Sequence, residues 1–144
     1  MGPRRRAREH ALQILFSLDL NEGAVLPQVF AHFWRDFASE DGEGARDPQV
    51  VTFAEALVRG TVEHQGEIDA VIQKASRNWR LERMARVDRN VLRLATYELS
   101  FQPEVPAKVV INEAIEVARR FGAAESAAFV NGLLDRISQE LRRS

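Results

Sequence analysis

The sequence predicts an all-α protein: about seven helices in two packed sub-bundles, roughly 1–65 and 66–144, forming a single domain. Three observations carry this. Apolar residues recur with a helical period in nearly every segment. No stretch sustains the period-two alternation of a half-buried strand. Pro and Gly fall mainly where one periodic segment gives way to the next. The 144 residues are enough to bury roughly two thirds of the unfolded chain's surface.

Taken in order, the first helix runs from about Arg4 to Leu20, with Ala7, Ala11, Ile14, Leu15 and Leu18 on one arc. Asn21 and Gly23 punctuate its end. A second helix over about 26–39 carries Val29, Phe30, Phe33, Trp34 and Phe37, and the acidic, glycine-containing stretch 40–47 reads as a loop. Pro48 suits the first turn of a third helix, with Phe53, Leu57, Val58 and Val62. The fourth spans Ile68 to about Trp79. The fifth, Glu82 to Phe101, has a stripe of Met84, Val87, Val91, Ala95 and Leu99. Pro103 and Pro106 end it and start the sixth (Val110, Ala114, Val117, Ala118, Phe121), for which Gly122 is the expected C′ residue. The seventh carries Phe129, Val130, Leu133, Leu134, Ile137 and Leu141.

Some positions break local rules. Gly60 and Gly132 lie inside helices, at about 1 kcal/mol each relative to Ala, and close approach of a neighbouring helix is the expected compensation. Asp88 and Glu98 fall within the apolar arc of the fifth helix and need partners there, unless Asp88 marks a later helix start. Glu98 reads as a buried acceptor.

Charge is unevenly distributed. Arg4, Arg5, Arg6 and Arg8 stand together, and without them the chain has 16 basic against 21 acidic residues. Of the 20 basic residues 18 are Arg, the side chain suited to bidentate phosphate contacts and to stacking on bases. The cluster points to a polyanion, against the plainer reading of a frayed, solvated terminus. Leu12, Phe16 and Leu20 form a second stripe on the first helix; Phe16 suits base stacking, and packing against the second sub-bundle is the structural alternative. Arg77, Arg80, Arg83, Arg86, Arg89 and Arg93 make a second basic series. Arg86, Arg89 and Arg93 share a helix face and read either as a phosphate track or as a solvated surface.

Sites for chemistry are scarce. With no cysteine, disulfides, zinc–thiolate sites and thiol nucleophiles are excluded. There is no phosphate-binding glycine loop or serine-type triad, and His10, His32 and His64 lack i, i+4 partners. The Glu113–Glu116 pair reads as a solvated face. The expectation is a protein without catalytic site, cofactor or metal. No secretory signal or run of ~20 apolar residues appears, so the expected compartment is the cytoplasm, with no membrane partner.

Four blocks resemble the NusB family of transcription antitermination factors: Arg4–Arg6 with Ala7-Arg8-Glu9 and Ala11-Leu12-Gln13; Val87 to Leu99; Pro106 with Ile111 to Glu116 and Phe121-Gly122; and Phe129 to Asp135. They span nearly the whole chain; residues 26–67 carry no recognised motif. The resemblance implies a NusB-like all-α fold and binding of single-stranded boxA RNA together with the ribosomal protein NusE. It also implies entry into the RNA polymerase elongation complex with other Nus factors. By the same resemblance Arg4, Arg5, Arg6 and Arg8 contact RNA. Phe16 matches a position where the family often has Tyr, keeping a stacking ring without the hydroxyl. Arg86, Asp88, Arg89 and Glu125 fall on RNA or partner surfaces, and Asn112-Glu113 and Asn131-Gly132 serve packing and hydrogen bonding. Four phosphate contacts to single-stranded RNA imply a log–log salt slope of about −2.8.

Other readings stay open: a helical protein–protein adaptor without RNA affinity, or a domain related to ribosomal RNA cytosine methyltransferases. The latter needs a Rossmann-type domain and a cysteine nucleophile, both absent from this sequence. The sequence does not decide between monomer and homodimer.

Overall fold

The computed structural model describes residues 2–36 and 47–142. Those residues form seven α-helices and one 3-10 turn, with no strand among them: α1 (Pro3–Leu20), α2 (Leu26–Asp36), α3 (Pro48–Glu63), α4 (Gln65–Ala75), the turn Leu81–Arg83, α5 (Arg86–Phe101), α6 (Ala107–Phe121) and α7 (Ser126–Leu141). The expected 40–47 loop and the last turn expected for α2 lie outside the described residues, apart from Asp47. Two compact units divide the chain, Met1–Gly60 and Thr61–Ser144, with the boundary inside α3.

In the first unit, α1 buries Ala7, Ala11, Ile14 and Leu15, the stripe its 3.6-residue period marks out. Ala7 packs with Val50 and Ala54 of α3, and Trp34 and Phe53 close over that cluster. Small residues at 7 and 54 let the helices approach closely. Glu55 then ties α3 to α2: Trp34 Nε1 donates to its carboxylate at 2.9 Å, Arg59 donates to the other oxygen at 3.1 Å, and the Arg59 guanidinium lies 5.0 Å from the Phe30 ring centroid. The buried face of α3 is Val50, Ala54, Leu57 and Val58; Val62 is exposed and Phe53 only half-buried. The face is thus rotated from the one expected.

The second unit is built on α5, which packs against α4, α6 and α7, while α6 and α7 pack on each other. Leu92, Leu134, Ile137, Ile68, Ile72 and Val110 are essentially inaccessible to solvent. Each such side chain contributes roughly 1.5–3 kcal/mol by its removal from water. Arg142 closes the C-terminal end of α5, its guanidinium donating to the carbonyls of Glu98, Leu99, Gln102 and Val105. Those are the carbonyls a helix end leaves without intrahelical donors.

Several boundaries differ from expectation for local reasons. α4 stops at Ala75 because side chains satisfy the turn that follows. Gln73 Nε2 donates to the carbonyls of Ser76 (3.1 Å) and Trp79 (2.8 Å), its Oε1 accepts from Leu81 N–H (2.9 Å), and Ser76 Oγ donates to Trp79 O (3.1 Å). α5 begins at Arg86, not Glu82, because Met84 and Ala85 are extended, with ψ of 148° and 140°. Leu81 and Met84 are both buried, and a 3-10 turn with its i, i+3 spacing imitates a helical stripe over so short a stretch. Pro106 sits just outside α6 as its N-cap. Gly122 follows α6 as expected but with φ −97°, so left-handed backbone is not what it supplies. A Cβ there would meet Ser126 Oγ at 2.5 Å and Ala118 O at 2.8 Å, and Ser126 Oγ accepts from Ala123 N–H. Close approach explains this glycine. It does not explain Gly132, which is exposed with nothing within 4 Å of a built Cβ. Asn131 beside it and Asn112 are also exposed, so the Asn131-Gly132 pair is not a packing device.

Candidate nucleic-acid interface

The arginine cluster is helical from its first member. Gly2 is the N-cap of α1, Pro3 starts the helix with φ already suited to it, and Arg6 N–H reaches Gly2 O at 3.2 Å. Arg4 and Arg5 therefore sit in the first turn of a helix whose opening turn holds no acidic residue, and Arg6 follows directly. Cations at that end oppose the helix macrodipole by roughly 0.3–1 kcal/mol each. An anion bound there meets both the guanidinium groups and the open N–H groups of the helix end. The local energetics thus run against helix stability and toward anion binding.

The four arginines are not equivalent. Arg4 is exposed, with its guanidinium 4.6 Å from the Phe53 ring centroid; Arg5 and Arg6 are half-buried. Arg8 is buried, 6 % exposed, and its guanidinium lies 5.6 Å from the same ring. One turn beyond the opening, the helix has rotated it inward. A phosphate contact from Arg8 like that of Arg4 is therefore not available on this surface. Phe16 is half-buried, between a buried Leu12 and an exposed Leu20.

The second basic series behaves differently. Arg77, Arg80, Arg83 and Arg86 are exposed and Arg89 is half-buried. Arg93 is buried, donating from Nε and Nη2 to the two Asp69 carboxylate oxygens at 2.8 and 3.0 Å and to Asn90 Oδ1 at 3.3 Å. It is a structural ion pair, not part of a phosphate track. Asp88, expected on an RNA or partner surface, is buried in the first turn of α5, where its charge suits the helix dipole; its Oδ1 has no hydrogen-bond partner. Glu125 is exposed at the N-cap of α7. Glu98 is buried, as its place in the apolar arc implied.

Two grooves stand out. One, of about 550 Å³, lies where the first turns of α1 and α3 meet, between Pro3 and Pro48, with Arg4, Gln49, Thr52 and Phe53 around it. Nothing in the sequence pointed to it, because Phe53 falls on a helical period and reads as core. The other, of about 810 Å³, lies between the C-terminal ends of α4 and α7 and is lined by Lys74, Arg77, Asn78, Arg136 and Glu140 among others. There Lys74 faces Glu140 at 3.9 Å and Arg136 donates to Ala75 O, so two of its three cations are held by the protein itself. No helix among the described residues is long and apolar enough to cross a membrane.

Comparison with known proteins agrees with this layout. The family model described as the NusB family matches residues 5–139. The transcription antitermination protein NusB of Sorangium cellulosum is 50 % identical over 143 residues, covering 99 % of this chain and 96 % of that protein. The Myxococcus xanthus protein of the same name is 47 % identical over 143 residues, covering 99 % of each. Among solved structures, T. maritima NusB is similar with a TM-score of 0.82 at 39 % identity, over 97 % of this chain and 93 % of that one. A structure of the antitermination factors NusB and NusE in complex with dsRNA gives 0.82 at 26 % identity, over 97 % and 98 %. An all-α chain opening on an arginine-rich helical turn and matched from end to end in this way belongs to the NusB family of transcription antitermination proteins.

Proposed function

We propose that this protein binds a boxA-type leader RNA jointly with the ribosomal protein NusE and enters the RNA polymerase elongation complex with the other Nus factors. The observation that carries the reading is the opening of α1, where three arginines gather at a helix end that has no acid to balance them. Arg4, Arg5 and Arg6 take the phosphates. Arg8 acts from inside, where it and Arg4 both approach Phe53. Phe16 offers a stacking ring, and Arg86, Arg89 and Glu125 lie at accessible or half-accessible positions for RNA or the partner protein. The solved NusB–NusE assembly with RNA, similar to this chain over nearly its whole length, supports a three-component complex.

Phosphate contacts position an RNA without reading it, so sequence preference has to come from contacts to bases. Electrophoretic mobility shift with boxA RNA, alone and with NusE, tests the reading. A shift at lower protein concentration when NusE is present is expected. No shift in either mixture would favour the adaptor that works through protein contacts alone. Running single- and double-stranded RNA side by side settles which form is held, and single-stranded RNA is expected to bind more tightly. If a homodimer covers the arginine face, sedimentation will show RNA dissociating it.

A further inference from the structure

We infer that the groove between the first turns of α1 and α3 is a nucleobase subsite: it takes one unstacked base of the bound RNA while Arg4 at its edge engages the adjoining phosphate. The inference rests on the RNA-binding reading above and adds a place where that RNA is read. Its volume, about 550 Å³, falls within the range of small-molecule sites and exceeds the room one base needs. Its components suit a base better than an apolar ligand. Phe53 is half-buried, anchored on Ala7, Val50 and Ala54, and so is a fixed aromatic surface. Arg4 is already stacked on it, 4.6 Å from the ring centroid, which holds a planar cation at the mouth of the groove with little freedom left to lose on binding. Bases stack on both aromatic rings and guanidinium planes.

The polar groups complete the argument. Gln49 and Thr52 are exposed on the α3 side, one turn apart around Phe53. The backbone N–H of Gln49 is held by Asp47 Oδ1 at 2.8 Å, which fixes the start of α3 and therefore the position of both side chains. A carboxamide and a hydroxyl each donate and accept, as matching the edge of a base requires. Pro3 and Pro48 wall the groove with rigid rings. Charge favours a nucleic acid over a peptide: Arg4 is the ionisable side chain of the groove, with Arg5 and Arg6 next in the same helix.

The test is fluorescence anisotropy with single-stranded boxA RNA in which each nucleotide in turn is made abasic, using the full chain and two variants, Phe53→Leu and Gln49→Ala/Thr52→Val. In the unaltered protein one abasic position is expected to weaken binding about tenfold, within the range of a stacked base. In both variants the intact RNA should bind about tenfold more weakly, and the penalty at that position should vanish while the salt slope is unchanged. The surface pair keeps the test valid if Phe53→Leu fails to fold. Abasic profiles identical in all three proteins would overturn the subsite and leave RNA binding through the arginines intact. So would variants that weaken NusE binding or self-association and spare the RNA profile, because the groove would then belong to a protein. Absence of salt-dependent RNA binding by the unaltered chain would overturn this inference together with the reading beneath it.

Discussion

α1 and α5 both carry arginines in series, and the fold uses them in opposite ways. Along α1 exposure falls from Arg4 through Arg5 and Arg6 to the buried Arg8; along α5 it falls from Arg86 through Arg89 to the buried Arg93. The gradients look alike, but the settings differ. The first turn of α5 contains Asp88, which favours the helix dipole, and Arg93 finds a bidentate carboxylate in Asp69. The first turn of α1 contains no acid, and its cations stand at the end of the helix where they cost stability. Arginines that are satisfied by the protein hold it together; arginines placed against the local electrostatics are available to a ligand. Environment, not residue type, separates the two.

The comparison breaks first at Arg93. Arg93→Ala leaves Asp69 without its bidentate partner; Asp69 keeps some solvent contact, so the expected loss is about 3 kcal/mol, the lower end for a broken buried pair. Urea denaturation measures it, and the RNA affinity of the folded fraction should not change. A loss of affinity with full stability would move Arg93 to the binding side. Gly122→Ala, in the same unit, forces Ser126 and the Ala118 carbonyl apart and should cost about 1–3 kcal/mol by thermal melting. Arg4→Ala/Arg5→Ala/Arg6→Ala should show the reverse pattern: weaker RNA binding and a melting temperature no lower than the parent's, because the dipole repulsion and the contact of Arg4 with Phe53 roughly offset. The smallest effect is expected at Gly132→Ala, which should stabilise α7 by about 0.5–1 kcal/mol, since an exposed helical glycine with open space beside it has only its backbone entropy to lose. Destabilisation there would mean that something packs on that face.

Helix existence was legible in the sequence because α1, α6 and α7 bury the residues their apolar period marks, and Pro3, Pro48 and Pro106 stand at helix starts. The start of α5 was not, because Leu81 and Met84 keep a helix-like spacing across a 3-10 turn and two extended residues. Nor was the end of α4, which depends on Gln73 reaching three backbone groups, a tertiary arrangement with no local signature. The site was legible as a charge cluster and a family-like opening. Which arginines face outward was not, since a turn of only a few residues decides between Arg4 and Arg8. The groove at Phe53 was invisible for a related reason: α3 is rotated so that Val50 and Ala54 face inward and Phe53 stands at the edge.

The burial of Arg8 changes one number. With Arg4, Arg5 and Arg6 as the phosphate contacts, the log–log salt slope for single-stranded RNA becomes about −2.1, in place of the −2.8 or so that four contacts imply. Affinity then falls roughly 20-fold between about 50 and 200 mM salt. The most direct measurement is RNA affinity against salt for the parent chain and for Arg4→Ala/Arg5→Ala/Arg6→Ala. A slope near −2 that collapses toward zero in the triple variant is the expected result. A parent slope near zero, or a slope the triple variant leaves unchanged, would contradict the assignment of the α1 opening as the phosphate-binding surface.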